Sequence, residues 1–128
     1  MNPLTLEWVS KAESDLAAAD VLARDSIQLH TDAICFHAQQ SIEKYLKSWL
    51  QETGVPFRKT HDLVELLQLT LPLRPAWASW RQDLTAVAVH SVDTRYPGTS
   101  SSAPDAQHAL QVCTHVRLAV RTELGLPL

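Results

Sequence analysis

Glycine is scarce in this 128-residue chain: there are three, against seven prolines, two cysteines and one methionine. So few glycines cannot build the glycine-rich phosphate loops GxGxxG or GxxxxGK[ST], nor the GxSxG elbow of a hydrolase. Cys35 and Cys113 lie far apart among apolar neighbours, and no CxxC occurs. A disulfide framework is thereby excluded, and two buried, reduced thiols in a cytoplasmic protein are expected. No apolar run reaches the roughly 18 residues of a membrane-spanning helix. The N-terminus lacks the basic start and apolar stretch of a signal peptide. Excess positive charge is missing too. Net charge is -3 and the isoelectric point about 6.0, so a protein-wide phosphate-binding surface is not expected, whereas a local basic site is.

What the chain does hold is leucine (19) and alanine (15), with 45% hydrophobic and 20% charged residues. Both residue types lose little on entering a helix. The length suits one domain, residues 1–128. Asn2 and Pro3 open a helix over about 3–24, with Trp8, Ala12, Leu16, Ala19 and Ala23 as its apolar stripe. Residues 25–31 read as a connection. A second helix, about 32–52, carries Ile34, Ala38, Ile42, Tyr45, Leu46 and Trp49 on one side. Gln40, Lys44, Lys47 and Gln51 gather opposite. Phe36 and Leu50 fall outside the main stripe and suggest a second buried face, within the bundle or between two copies. Gly54-Val55-Pro56 stops that helix. Thr60 reads as the cap of a third helix, His61 to about Leu71, with Asp62 in its first turn. A fourth spans about 75–90, and residues 91–102 break every period around Pro97-Gly98. The last helix begins near Pro104 and ends at Gly125 and Pro127. Strand alternation is not found. The expected fold is all-α, an up-and-down bundle of four or five helices.

Several separated pieces share one pattern: Glu7-Trp8, Lys11-Ala12 and Asp15-Leu16; the run Cys35-Phe36-His37-Ala38-Gln39-Gln40-Ser41-Ile42-Glu43-Lys44-Tyr45-Leu46-Lys47; Thr60-His61-Asp62-Leu63; and Asp93-Thr94-Arg95-Tyr96-Pro97. In this order the chain resembles the HEPN domain family (higher eukaryotes and prokaryotes nucleotide-binding), small stand-alone type. The resemblance implies a helical bundle that often dimerises, a minimal nucleotidyltransferase partner and a role in toxin–antitoxin-like pairs. Catalytic members of that family are metal-independent RNases with an Arg, four to six residues, then His near the final helix. Here Arg117 and Arg121 are followed by no His, His115 precedes Arg117, and the spacing occurs only from Arg24 to His30 in the first helix. The catalytic pair is therefore not assigned.

The loop Asp93-Thr94-Arg95-Tyr96-Pro97 is the leading site for a nucleotide or RNA phosphate. Arg95 offers a fork of donors and Tyr96 a stacking face, with Asp93 to orient Arg95. The alternative is that these residues only pin the loop. His61 and Asp62 stand at a helix start, which attracts anions, or they merely fix the turn. Gln40, Lys44 and Lys47 add donors to that cleft, or form a solvated face with Glu43–Lys47 as an i,i+4 pair. No HExxH or zinc-like spacing occurs, so no metal or cofactor is expected. Two further readings are an RNase pairing Arg95 with His61 or His90, and a ligand-free module dimerising through Phe36 and Leu50. The four tryptophans are expected in the core.

Overall fold

A computed structural model describes residues 1–92 and 97–128. Five α-helices follow in order: α1 (Pro3–Ser26), α2 (Thr31–Thr53), α3 (Leu63–Thr70), α4 (Arg81–Val92) and α5 (Ala103–Leu124). A 3₁₀ turn, Pro75–Trp80, precedes α4. Among the described residues there is no strand.

The long helices carry the caps read from the sequence. Asn2 Oδ1 accepts from Leu4 N at 2.8 Å, with Pro3 in the first turn. Gly54 closes α2 with φ +75°, where an L side chain is strained. Ser102 and Asp105 cap each other's backbone at the start of α5. Helices α1 and α4 run two residues past the expected ends, to Ser26 and Val92, and two helix starts differ as well. Helix α3 starts at Leu63 because Asp62, not Thr60, is its cap, accepting from Val64 N and Glu65 N. Thr60 Oγ1 instead accepts from Asp62 N and bends the chain one step earlier. Residues 75–80, read as α-helix, wind more tightly. Three residues per turn put Trp77 and Trp80 above one another, and their rings stack at 4.8 Å.

Helix α2 is the axis of the bundle, touching α1, α3, α4 and α5. Its apolar side, from Ile34 to Trp49, is sealed. Burying one such large side chain contributes about 1.5–3 kcal/mol. Trp49 packs on Trp77 at 5.1 Å, and both are buried, whereas Trp8 and Trp80 are half-buried. Leu50 is fully enclosed inside the bundle, so it offers no contact to a second copy. Phe36 is half-buried against the edge of the His37 ring. Both cysteines are free and buried.

Candidate functional site: a polar row on the central helix

A step of four residues keeps side chains on one helical face. Gln39, Glu43 and Lys47 follow that step along α2, and the bundle buries all three. Such polar groups cost free energy inside a protein unless each finds a partner. The partners are found on the neighbouring elements. Lys47 Nζ donates to Glu43 Oε2 at 3.0 Å and sits 5.2 Å from the Trp8 ring centroid on α1. His61 Nδ1, in the turn before α3, lies 3.0 Å from Glu43 Oε1. The carboxylate is 3% exposed while the imidazole is 83% exposed. A buried anion thus backs a ring whose other nitrogen is open to solvent.

Gln39 continues the row toward α4. Its Nε2 donates to the His61 carbonyl at 3.2 Å. Ser91 Oγ, in the last turn of α4, donates to Gln39 Oε1 at 3.4 Å. The α2–α3 turn and the end of α4 are therefore bridged by one buried amide.

The remaining residues expected at the site fall in different places. Asp93, Arg95 and Tyr96 lie outside the described residues. Asp62 serves as helix cap, with its Oδ1 taken by two backbone donors. Lys44 and Lys47 do not form a solvated face, because α1 lies along that side of α2. Lys44 is pinned by Asp15 of α1, whose second oxygen meets His37 Nδ1 at 3.0 Å. Gln40 is half-buried beside them on α2. The structure thus joins His61 to Lys47 through Glu43 and directs Lys44 to another carboxylate.

The arginines of α5 are also engaged. Arg117 Nε and Arg121 Nη1 donate to Glu13 Oε1 of α1 at 2.7 and 2.9 Å. The buried Tyr45 hydroxyl donates to the same oxygen. Burial and that carboxylate push the Tyr45 phenol up to about 12. Burial acts to raise the Glu13 carboxyl, but the Tyr45 and Arg117 hydrogen bonds and both guanidinium charges outweigh it and hold it below its usual value. This cluster clamps α1, α2 and α5. Of the pair with the RNase-like spacing, Arg24 and His30, the histidine is engaged too: His30 Nε2 lies 2.7 Å from Asp25 Oδ2.

Gln39 and Ser91 are site residues that sequence reading passed over. The signal was present in the four-residue step of Gln39, Glu43 and Lys47 through an apolar run. Among the described residues no group of three His, Cys, Asp or Glu side chains is placed to hold a metal ion. No helix there is long and apolar enough to cross a membrane.

The HEPN domain family model matches residues 5–123, and the chain belongs to that family. In fold it is similar to the crystal structure of an archaeal HEPN homologue, at 24% identity and a TM-score of 0.72, covering 93% of this chain and 96% of that one. No curated protein matches the chain.

Proposed function

We propose that this HEPN protein, as a homodimer, binds the phosphate of a nucleotide or RNA through Arg95, with Tyr96 stacking on the base, Asp93 orienting the guanidinium and His61 as a second donor. It acts beside a minimal nucleotidyltransferase in a toxin–antitoxin-like pair. The observation that carries the binding reading is the Ser91–Gln39–His61 bridge. Ser91 stands two residues before Asp93, and its hydroxyl is joined through one amide to the backbone of His61. The last turn of α4 therefore lies beside the turn that carries the exposed imidazole. Lys44 and Lys47 are already paired with Asp15 and Glu43, so this reading gives the anion to the donors of Arg95 and His61.

A charge-assisted hydrogen bond is worth about 1.5–3 kcal/mol, roughly ten- to a hundredfold in Kd. Arg95→Ala is expected to weaken binding of AMP or a short oligoribonucleotide by that factor, with the helical circular dichroism and melting temperature unchanged. Equal affinity in the folded variant overturns the assignment. Co-purification with a minimal nucleotidyltransferase tests the pairing separately.

The exposed His61 ring on buried Glu43 favours a second reading, an RNase with His61 as general acid or base. Such an enzyme cleaves RNA in EDTA, and His61→Ala and Glu43→Gln abolish the cleavage. Absence of cleavage at high protein concentration removes this reading.

A further inference from the structure

A neutral imidazole carries one proton, and the nitrogen without it holds a lone pair. Which nitrogen that is depends on the partner of the other. In His30, His90 and His108 the outer nitrogen, Nε2, meets an aspartate: Asp25, Asp105 and Asp83. His115 is exposed and has no carboxylate partner among the described residues. His37 and His61 alone turn Nδ1 to a carboxylate, Asp15 and Glu43. Beside an ionised carboxylate the proton stays on Nδ1, which leaves the lone pair on Nε2. The His37 ring is 31% exposed and stands against the Phe36 ring at 5.3 Å. The His61 ring is 83% exposed. Of the six histidines, His61 is the one that joins a carboxylate behind Nδ1 to an Nε2 open to solution.

The backing is built rather than incidental. A ring this exposed gains little from packing, and a buried carboxylate costs free energy. Lys47 Nζ donates to Glu43 Oε2 and keeps the group charged. Gln39 Nε2 donates to the His61 carbonyl, and Thr60 Oγ1 accepts from Asp62 N, so the turn is held on both sides of the ring. The charges nearest in sequence are engaged elsewhere or open to solvent. Asp62 Oδ1 accepts from two N–H groups of α3, Arg58 pairs with Glu65, and Lys59 is exposed.

We propose that His61 Nε2 is a phosphoryl-acceptor nucleophile, a site of covalent modification by phosphoramidates, whose P–N bond is labile. The Nε2 lone pair attacks phosphorus and the Nε2–P bond forms. The P–N bond of the donor breaks, and its electron pair leaves with the already protonated nitrogen as ammonia. The ring then bears the phosphoryl group on Nε2 and its original proton on Nδ1, and so becomes cationic. Glu43 meets that positive charge as it develops, the part played by the carboxylate behind a triad histidine. Glu43 is thus a positioning residue, and it touches no reacting atom. The step needs neither Arg95 nor a bound nucleotide, so it stands or falls apart from the binding reading above.

The full chain incubated with potassium phosphoramidate is expected to take its first phosphoryl group at His61, located by tandem mass spectrometry, with NMR placing the phosphorus on Nε2. The expected rate is on the order of tenfold above that at His115 or His37. Glu43→Gln keeps an oxygen for Nδ1 but removes the charge. It is expected to bring the His61 rate down to that of His115 while the His115 rate stays the same, a selectivity that a general loosening of the bundle does not produce. Circular dichroism confirms that the variant is folded, and the comparison of histidines within the wild type decides the matter without it. Equal rates at His61 and His115 in the wild type overturn the assignment. So does modification at Nδ1, or a folded Glu43→Gln chain labelled at the wild-type rate.

Discussion

Lys47 occupies an inhospitable place for an ammonium: its side chain is 7% exposed, and its anionic partner Glu43 is 3% exposed. Removing one member of a buried pair strands the other, at a cost of about 3–5 kcal/mol. Lys47→Met is expected to lower unfolding free energy by about 3 kcal/mol, read from the urea midpoint. Lys47→Met combined with Glu43→Leu recovers most of it. An unshifted midpoint in the single variant would show that His61, 3.0 Å from the carboxylate, satisfies Glu43 without Lys47. At this scale the sequence was only partly legible. The residue types and the i,i+4 spacing of Glu43 and Lys47 were plain, but their burial was not. A helical period identifies one apolar side, and it is silent about a neighbour laid over the polar side. The thiols were more transparent, because their apolar neighbours already implied burial. Burial pushes Cys113 up to about 11 and raises Cys35 as well.

Among the elements, the long helices were the legible ones. Their ends are marked by residues that act locally, such as Asn2, Gly54 and the Ser102–Asp105 pair, and the structure uses each as read. The start of α3 was misplaced because Thr60 and Asp62 are both residues that cap helices. Two candidates two positions apart are separated only by which backbone donors they meet. Asp62 receives two from the helix, and Thr60 one from the turn. Asp62→Ala is therefore expected to cost about 1 kcal/mol, a fall of roughly 4 °C in melting temperature. Thr60→Ala costs less. Equal losses in the two variants would return the cap to Thr60. The 3₁₀ turn escaped notice for a similar reason. Pro75 fits the first turn of either helix type, and the tighter winding shows only in the stacking of Trp77 on Trp80.

For the whole molecule, the bundle class was evident from composition and period. The long-range pairings were not, because nothing local links Glu13 to Arg117 and Arg121, or Asp15 to Lys44. These pairings set the response to pH. Tyr45 titrates at about 12 in the folded chain and near 10 when unfolded. Its raised folded value means the native state holds the phenolic proton more tightly. That contribution is whole below about pH 10 and is lost as pH rises toward 12. Glu13 runs the other way: its lowered value contributes above the ordinary carboxylate range and fades as pH falls through the folded value. Melting temperature followed against pH is expected to drop steeply above about pH 10. Tyr45→Phe, which has no proton to lose, should flatten much of that alkaline limb. An identical limb in both proteins would place the alkaline transition elsewhere.

From Ala38 to Leu50 only Gln40 and Lys44 escape full enclosure. A segment walled in on all sides has almost no freedom to drift, since nearly every replacement there disturbs several neighbours together. Replacements are therefore best tolerated where the walls end, and altered side chains are accommodated more readily on the flanking rods than on the spine they share.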